Sequence, residues 1–494
     1  MDRDFIVVLD QGSSSSRALL MDASGRIYCR SQKNISAVYP APGRAEYDAE
    51  KLFQSQKESL IEVLNAIPAG AKNPVLGMAA QRSTVVLWDS SSGRPLCPAM
   101  SWQDGRATDI INRLPFGHTQ IHTMTGLYKT PYYSASKIAW AVENLTEVRA
   151  AAEKGTLRTG PVSAYILWRL SGGKIFACDP SLAQRTLLMN LRNGRWEEKL
   201  LTAFGIKKSC LPEIMPSSGF FGNINIEGRE LAVTAMLGDQ QAAMSGLGIN
   251  SPGEGAVNYG TGAFLLVNAG NRPLKIKGLL DSYGWKRSSE KDSAYFSEVL
   301  VNSAGTMLEW LRTRFGMFED ISEADELCRI SKQRVLCLPV IGGLAAPYWD
   351  FEVKTCFSGL TAYSCKADMV RAAVEGIAFM IADGLERIKQ KGIKVNELKA
   401  GGGLSKMSYL MQFQADITGI RVAVTDETEA TALGAGREAI TGSGGTPYFP
   451  PVKVKTFLPR LKEEERQKLL LKWRDYVKYC QAGTRILKQA LLQQ

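Results

Sequence analysis

Two segments of the chain, about half its length apart, share one pattern of apolar and polar positions. In the first, FIVVLDQGSSSSRALLMDASG at 5–25, two apolar runs flank a Gly-Ser turn, which predicts the two strands of a hairpin. The second, GEGAVNYGTGAFLLVNAG at 253–270, repeats this pattern, and Gly12 falls on Gly260 when Asp10 is set on Asn258. A shift of 248 residues in a chain of 494 indicates two similar halves; coincidence between two glycine-rich turns is the alternative.

Helical and strand periodicity alternate through the rest of the chain. Helical patterns occur at 49–67, 133–145, 369–392 and 431–440. Strand patterns interrupted by polar or glycine-rich turns occur at 75–96 and at the start of 397–419, which continues as a helix. This alternation predicts an α/β architecture in each half. The segment TGSGGTPYFPP at 441–451 predicts a linker to an amphipathic C-terminal helix.

Composition excludes several classes of protein. With 45% apolar and 22% charged residues, the chain is expected to form two or three globular domains rather than a disordered or coiled-coil protein. No run approaches the roughly 18 apolar residues of a membrane span, and the first apolar run is too short for a signal peptide. A cytoplasmic protein without membrane insertion is therefore expected. The excess of 60 Lys and Arg over 49 Asp and Glu is diffuse, which favours a solvated surface over a nucleic-acid-binding arm.

The cysteine and histidine counts restrict the chemistry further. Nine cysteines without a C-x-x-C pair predict reduced thiols. His118 and His122 are the two histidines of the sequence, and H-T-Q-I-H lacks the glutamate of a zinc-binding H-E-x-x-H helix, so no metal is assigned to them. Any general base is therefore expected to be a carboxylate.

Familiar nucleotide-binding signatures are absent from the sequence. Its Gly-Lys pair, Gly173-Lys174, is followed by Ile175, which excludes a P-loop, and no G-x-G-x-x-G occurs. The two hairpin tips offer N–H groups and hydroxyls to an anion, and the glycines of 400–403 precede a predicted helix whose N-terminus favours phosphate. A tight strand turn is the alternative for each tip alone. The three features together favour nucleotide binding.

A dozen short motifs resemble, in the same order, those of the FGGY carbohydrate kinases, and within that family most closely the glycerol kinases. Between about residues 5 and 442 they are DQGSSSSRALLMD, PGRAEYD, QRSTVVLWD, GRPLCPAMSWQDGR, TGLYKTPYYSASKIAW, GDQQAAMSGLG, YGTGAFLL, GGLAAPYWD, FSGLT, RAAVEGIAF, LMQFQADITG and EATALGA. The resemblance implies an α/β fold of two actin-like, ribonuclease H-like ATPase domains with an interdomain cleft for ATP, Mg²⁺ and the acceptor. It implies an N-terminal domain at 1–247 with the acceptor site and first phosphate hairpin, a nucleotide-binding C-terminal domain at 248–442, and a linker and C-terminal helix at 443–494.

The resemblance also assigns roles to individual residues. Asp10 resembles the metal-holding aspartate, and Asp239 in G-D-Q-Q resembles the catalytic base; a cap on the following helix is the alternative for Asp239. The substrate-binding positions are Arg82, Ser83, Trp102, Tyr132, Asp239, Gln240 and Phe264. The nucleotide-binding positions are Ser13, Ser14, Ser15, Arg17, Thr261, Gly262, Gly305, Glu309, Gly403 and Met407. Glu309 and Met407 depart from the glutamine and asparagine of glycerol kinases at the nucleotide's periphery.

A third departure concerns the acceptor. Where glycerol kinases read Q-R-E-T, this chain has Ser83 in place of the glutamate, which removes an anionic hydrogen-bond acceptor and leaves space. The sequence thus predicts ATP-dependent phosphorylation of a hydroxyl of a small polyol or sugar, first of all glycerol to glycerol 3-phosphate. A tetritol, triose or ketopentose is the alternative acceptor, and a catalytically weak actin-like nucleotide-binding protein is the second alternative. The sequence leaves a homo-oligomer such as a dimer open.

Overall fold

The computed structural model describes residues 5–68, 70–449 and 453–491. Contacts divide the chain into two compact units. The first comprises the described residues of 1–248, 282–295 and 429–451, and the second those of 249–281, 296–428 and 452–494. Parts of two predicted segments lie outside the described residues, namely residues 1–4 and 69 of the predicted N-terminal domain and 450–452 and 492–494 of the predicted linker and C-terminal region.

Up to residue 248 the chain forms short strands interspersed with helices. The strands are β1 Ile6–Gln11, β2 Ser15–Met21, β3 Ile27–Asn34, β4 Glu46–Tyr47, β5 Val75–Ala80, β6 Val85–Asp89, β7 Ala99–Met100, β8 Leu157–Pro161, β9 Ala177–Cys178, β10 Met189–Asn190, β11 Arg195–Trp196, β12 Glu213–Ile214, β13 Ser218–Ile226 and β14 Arg229–Gly238. The helices are α1 Ala49–Asn65, α2 Thr108–Arg113, α3 His118–Thr125, α4 Ser134–Asn144, α5 Thr146–Lys154, α6 Val162–Leu170, α7 Pro180–Gln184, α8 Glu198–Phe204 and α9 Asp239–Gly246, with a 3₁₀ turn at Lys208–Cys210.

The rest of the chain has fewer strands and longer helices. The strands are β15 Gly255–Tyr259, β16 Ala263–Gly270, β17 Leu280–Lys286, β18 Ser293–Val301, β19 Leu336–Leu338, β20 Cys356–Ser358, β21 Glu397–Gly401, β22 Arg421–Thr425 and β23 Val454–Phe457. The helices are α10 Gly305–Phe315, α11 Ile321–Ile330, α12 Lys366–Lys389, α13 Ser408–Thr418, α14 Ala430–Gly442 and α15 Glu463–Leu491, with a 3₁₀ turn at Gly403–Lys406.

The first main sheet has six strands in the order β13-β14-β5-β1-β2-β3. β1 and β2 form the predicted hairpin, in which Asp10 lies opposite Arg17. β1 also pairs in parallel with β5, and β5 in parallel with β14. β1 and β5 are buried over their whole length, as their continuous apolar runs predict.

The second main sheet repeats this arrangement around the second hairpin. Its order is β17-β18-β16-β15-β21-β22-β23. β15 pairs antiparallel with β16 and in parallel with β21, which pairs in parallel with β22. Asn258 occupies in β15 the place of Asp10 in β1, near the end of the first hairpin strand. The half-chain repeat predicted from the sequence is therefore a repeat of sheet topology.

Helices pack closely against one another in both units. In the first unit α14 crosses α9 without intervening side chains, because a Cβ on Gly434 would lie 1.7 Å from the Ala242 carbonyl oxygen. In the second unit α15 packs onto α12, where the Trp473 and Phe379 rings are stacked with centroids 5.0 Å apart. Among the described helices, none is both long and apolar enough to cross a membrane.

Candidate active site

Four of the candidate acceptor residues follow strands of the first main sheet, namely Arg82 and Ser83 after β5 and Asp239 and Gln240 after β14. The parallel register aligns Gln11 with Ala80, and Ala80 with Gly238, so β1, β5 and β14 end side by side. Ligand sites in open α/β sheets lie at the carboxyl ends of the parallel strands. Asp239 follows Gly238 directly at this edge.

The predicted metal ligand Asp10 is buried at the end of β1. Arg17 donates through Nη2 to Asp10 Oδ2 and through Nη1 to Glu429 Oε2, the latter at 2.8 Å. Burial raises the pKa of Asp10, and the Arg17 guanidinium opposes the rise. Arg17, which the sequence predicts to face phosphate, is therefore held between two carboxylates of its own unit.

This set of carboxylates fits a magnesium ion that is bound together with phosphate. Mg²⁺ prefers oxygen ligands and is commonly held by one or two carboxylates plus substrate phosphates and water. Asp10 supplies one carboxylate, and its negative charge acts on Asp239. Among the described residues no group of three or more His, Cys, Asp or Glu side chains could hold a metal ion, so phosphate and water would complete the coordination.

Asp239 is the first residue of α9, and Gly238 occupies the N-cap position. Its Oδ1 accepts the Gln240 N–H at 2.7 Å, and Arg82 Nε lies 3.6 Å from the same oxygen. The Asp239 side chain is 30% exposed, which leaves it open to a bound molecule. Burial raises the pKa of Asp239; the Asp10 charge acts in the same direction, and Arg82 opposes both. A carboxylate with a raised pKa is the better proton acceptor.

The predicted phosphate-binding hairpin of the first unit is held through its main chain. Gly12 donates to the Ser15 carbonyl at 2.9 Å, and the Tyr47 hydroxyl donates to the Ser13 carbonyl at 2.9 Å. Ser13 and Ser14 are exposed at the tip, and Ser15 is half-buried. The tip therefore presents serine side chains on a fixed backbone, as an anion site requires.

The remaining acceptor positions of the first unit differ in burial. Ser83 is buried with a left-handed backbone, φ 66°, and its Oγ donates to the Arg185 carbonyl at 3.2 Å. Trp102 is 37% exposed, while Tyr132 and Gln240 are half-buried. Burial raises the pKa of the Tyr132 hydroxyl, which therefore stays protonated as a hydrogen-bond donor at neutral pH.

Two buried cations of this unit are absent from the set predicted by sequence. Arg185 donates through Nη2 to Ser282 Oγ at 2.6 Å, and its charge favours the ionised form of Asp239. Lys137 on α4 is completely buried. A lysine in an amphipathic helix ordinarily faces solvent. Lys137 lies one helical turn from both Ser134 and Ala141, which are buried on α4, and this shared face was the signal in the sequence for its burial.

In the second unit, the tip of the β15–β16 hairpin packs against the start of α10. The Thr261 carbonyl accepts the N–H groups of Ala304 and Thr306, both at 3.0 Å, while the Thr261 residue itself is exposed. A Cβ on Gly262 would lie 2.6 Å from the Val301 carbonyl oxygen, and one on Gly305 would lie 2.6 Å from the Gly260 carbonyl oxygen. Both predicted nucleotide-binding glycines therefore permit a close main-chain approach that a side chain would prevent.

The other predicted positions of the second unit lie in different surroundings. Glu309 is exposed on α10 and forms an ion pair with Arg312 at 2.7 Å. Gly403 begins the 3₁₀ turn after β21, and a Cβ added to it would meet no atom within 4 Å. Phe264 is half-buried in β16. Met407 is completely buried in the core of this unit, so in this structure neither its side chain nor its main chain is accessible to the nucleotide that the sequence predicts it to contact.

Direct contacts thus join Asp10 to Arg17 and Arg82 to Asp239 in the first unit. In the second unit they join the Thr261 hairpin to Gly305. Phe264, grouped by sequence with the acceptor residues, belongs to the second unit, apart from the other six. The roles assigned to these residues remain predictions.

Comparisons with known proteins show which families the sequence resembles. The model for the N-terminal domain of the FGGY family of carbohydrate kinases matches residues 5–246, and the model for its C-terminal domain matches 255–440. Glycerol kinase of Aquifex aeolicus is 36% identical over 484 residues, which cover 96% of this chain and 98% of the relative. Glycerol kinase of Saccharolobus islandicus is 34% identical over 496 residues, with 99% of each chain covered.

Solved structures support the fold. The crystal structure of Plasmodium falciparum glycerol kinase with ADP matches with a TM-score of 0.90 at 27% identity, covering 96% of this chain and 98% of that one. A ligand-bound xylulose kinase from Lactobacillus acidophilus matches with a TM-score of 0.86 at 23% identity, covering 98% and 99%. The second match extends the likeness in fold to a sugar kinase.

Proposed function

Because the chain belongs to the FGGY family of carbohydrate kinases, whose members phosphorylate sugars and polyols with ATP, we propose that it phosphorylates a hydroxyl of a small polyol, with glycerol as the first acceptor to test. The observation that carries this proposal is the pair formed by Arg82 and Asp239. A carboxylate that is 30% exposed and has a raised pKa lies 3.6 Å from a guanidinium, at the carboxyl ends of parallel strands where ligands bind. Such a pair suits a hydroxyl that must lose its proton.

The chemistry assigned to Asp239 is proton removal. As the acceptor oxygen forms its bond to the γ-phosphorus of ATP, the bond from that phosphorus to the bridging oxygen breaks and ADP leaves. The hydroxyl proton passes to an Asp239 carboxylate oxygen. Arg82 hydrogen-bonds the acceptor and holds the carboxylate in its ionised form, since its charge lowers the pKa of Asp239.

The phosphate groups are assigned to the two hairpin tips. Ser13 and Ser14 of the first unit and Thr261 of the second are exposed on backbones fixed by hydrogen bonds. Asp10 would hold Mg²⁺, which when bound neutralises charge on the phosphate oxygens. Arg17 keeps the Asp10 carboxylate in position through their ion pair.

Glycerol is the first candidate because the curated relatives at 34–36% identity are named glycerol kinases. Ser83 favours a second candidate, a longer or differently shaped acceptor such as a tetritol, triose or ketopentose. The Ser83 hydroxyl donates to the Arg185 carbonyl at 3.2 Å, so its only proton is committed to the protein. It therefore reaches the acceptor through its oxygen alone, without the charge of a carboxylate.

The test is ADP production from ATP-Mg with a panel of acceptors. The panel comprises glycerol, dihydroxyacetone, glyceraldehyde, tetritols, pentitols and ketopentoses. At least one small polyol or sugar is expected to stimulate ADP release well above the ATPase background, with a phosphorylated acceptor found by mass spectrometry. A panel without any phosphorylated product, from protein that still binds ATP, would favour the catalytically weak nucleotide-binding alternative.

A further inference from the structure

Lys137 is a completely buried lysine whose ammonium group has an unusual set of partners. Its Nζ donates to the main-chain carbonyls of Ser101 at 2.6 Å, Tyr132 at 2.8 Å and Ser83 at 3.4 Å. An ammonium has three N–H donors, so these bonds use all of them. Within the described part of the chain, Lys137 has no carboxylate partner within ion-pair distance.

The three carbonyls belong to three separate segments of irregular backbone. Residues 81–84 join β5 to β6, residues 101–107 follow β7, and residues 126–133 join α3 to α4. Each segment carries a predicted acceptor contact at or next to the bonded carbonyl. Ser83 is itself such a position, Ser101 directly precedes Trp102, and Tyr132 is another.

The bonded residues lie outside the strands and helices, so turn contacts and side-chain donors fix their backbone. At Ser101 the N–H donates to the Ala45 carbonyl at 2.9 Å, and the carbonyl also accepts the Asp104 N–H at 3.1 Å. The Ser83 carbonyl also accepts Ser134 Oγ at 3.4 Å, which adds a second bond from the start of α4. Lys137 is the group that joins all three segments at one atom. Its position therefore sets their spacing directly.

An ammonium is a costly choice for this place if its purpose is packing alone, because burial opposes its charge. Burial lowers the pKa of Lys137 to about 7, Asp104 opposes this effect and Arg106 adds to it. An apolar side chain would fill the same volume without that cost but would leave the three carbonyls without this donor. The hydrogen bonds, rather than the volume, distinguish lysine here.

We propose that Lys137 is a positioning residue that fixes the relative positions of the three segments that carry predicted acceptor contacts. Affinity for the acceptor, and not for ATP, then depends on the three hydrogen bonds of Lys137. The inference rests on the proposed function, because it takes Ser83, Trp102 and Tyr132 as acceptor contacts. Lys137 itself is buried and does not touch the acceptor.

The experiment compares Lys137→Met with Ile138→Ala as a matched control. Met fills the space without donating, whereas Ile138, also buried on α4, supports packing but makes none of the three bonds. We expect Lys137→Met to raise KM for the best acceptor about tenfold or more while KM for ATP changes less than about twofold. Ile138→Ala should lower thermal stability and leave the ratio of the two KM values unchanged. An unchanged acceptor KM in folded Lys137→Met, or an equal rise in Ile138→Ala, would overturn the inference.

Two further measurements cover the other outcomes. If Lys137→Met does not fold, Lys137→Gln, which keeps two donors without the charge, should give a smaller rise in acceptor KM; no rise in folded Lys137→Gln contradicts the inference. Amide hydrogen exchange needs no activity, and it should become faster at residues 101–105 and at Thr130, Tyr132 and Tyr133 in Lys137→Met than in Ile138→Ala. Wild-type protein inactive on every acceptor would refute the proposed function, whereas unchanged exchange would refute the positioning role.

Discussion

Replacing Ser83 by glutamate tests directly how this chain selects its acceptor. Serine and glutamate both carry a Cβ, so the left-handed backbone at φ 66° strains both residues alike and contributes little to the difference. The substitution removes one hydrogen bond, from Ser83 Oγ to the Arg185 carbonyl at 3.2 Å. It adds a carboxylate beside Arg82, and the positive charge of the Arg82 guanidinium compensates the new negative charge.

The expected size of the effect follows from the added carboxylate. A hydrogen bond from a substrate hydroxyl to a carboxylate contributes about 1.5–3 kcal/mol, whereas the lost bond to the Arg185 carbonyl is absent from the free enzyme and the transition state alike and affects stability instead. The gain corresponds to about a 10- to 150-fold rise in kcat/KM for glycerol. A bulkier acceptor that uses the space at Ser83 should lose kcat/KM instead.

The assay is the ratio of kcat/KM for glycerol to that for the best other acceptor, measured in wild type, Ser83→Glu and Ser83→Gln. Ser83→Gln matches glutamate in size without its charge, so its gain should be smaller. If wild type already uses glycerol efficiently and Ser83→Glu leaves the ratio unchanged, then position 83 does not select the acceptor. Glycerol phosphorylation would then be the activity of this chain.

Two further predictions concern stability. Gly434→Ala should destabilise the protein by about 3 kcal/mol or more in denaturant unfolding, because its Cβ would meet the Ala242 carbonyl oxygen at 1.7 Å. The control is Gly483→Ala on α15, where a Cβ would meet no atom within 4 Å, and it should be neutral or slightly stabilising. Equal effects of the two substitutions would contradict the close crossing of α9 and α14. Burial alone would raise the pKa of Glu438, but Arg287, at 2.8 and 2.9 Å, and the hydroxyls of Ser218 and Ser245 hold it below its ordinary value. The ionised Glu438 therefore stabilises the fold above about pH 4.3, and this stabilisation is lost as the pH falls further. Glu438→Gln should unfold more easily than wild type at pH 7 and should lose less stability than wild type between about pH 5 and 3. Parallel curves of stability against pH for the two proteins would contradict this assignment.

The local elements were predictable because their signals are local. The apolar runs around Gly12 and Gly260 predict two hairpins, and both form with the expected strands. The helical pattern at 49–67 corresponds to α1 at Ala49–Asn65, where Asp48 caps the first turn. The amphipathic pattern of the C-terminal segment corresponds to α15.

The features that the sequence did not reveal depend on contacts between distant residues. Lys137 lies in a helix whose pattern does not say which neighbours will cover it, and its burial arises from segments around residues 83, 101 and 132. Met407 shows the converse, since the resemblance to glycerol kinases places it near the nucleotide, yet packing buries its side chain completely. The grouping of 282–295 and 429–451 with 1–248 likewise arises from contacts that a pattern along the chain does not contain.

The proposed reaction is phosphorylation of a polyol hydroxyl with Asp239 as the base. The most direct test measures the transfer of labelled γ-phosphate from ATP to the acceptor in wild type and in Asp239→Asn. Wild type should place the label on the acceptor, with a rate that falls as acid protonates Asp239, at a pH above the ordinary aspartate range because burial raises its pKa. Asp239→Asn should lose at least about 100-fold in rate while still binding nucleotide. Label found only in inorganic phosphate, or an Asp239→Asn rate close to that of wild type at saturating acceptor, would contradict the account.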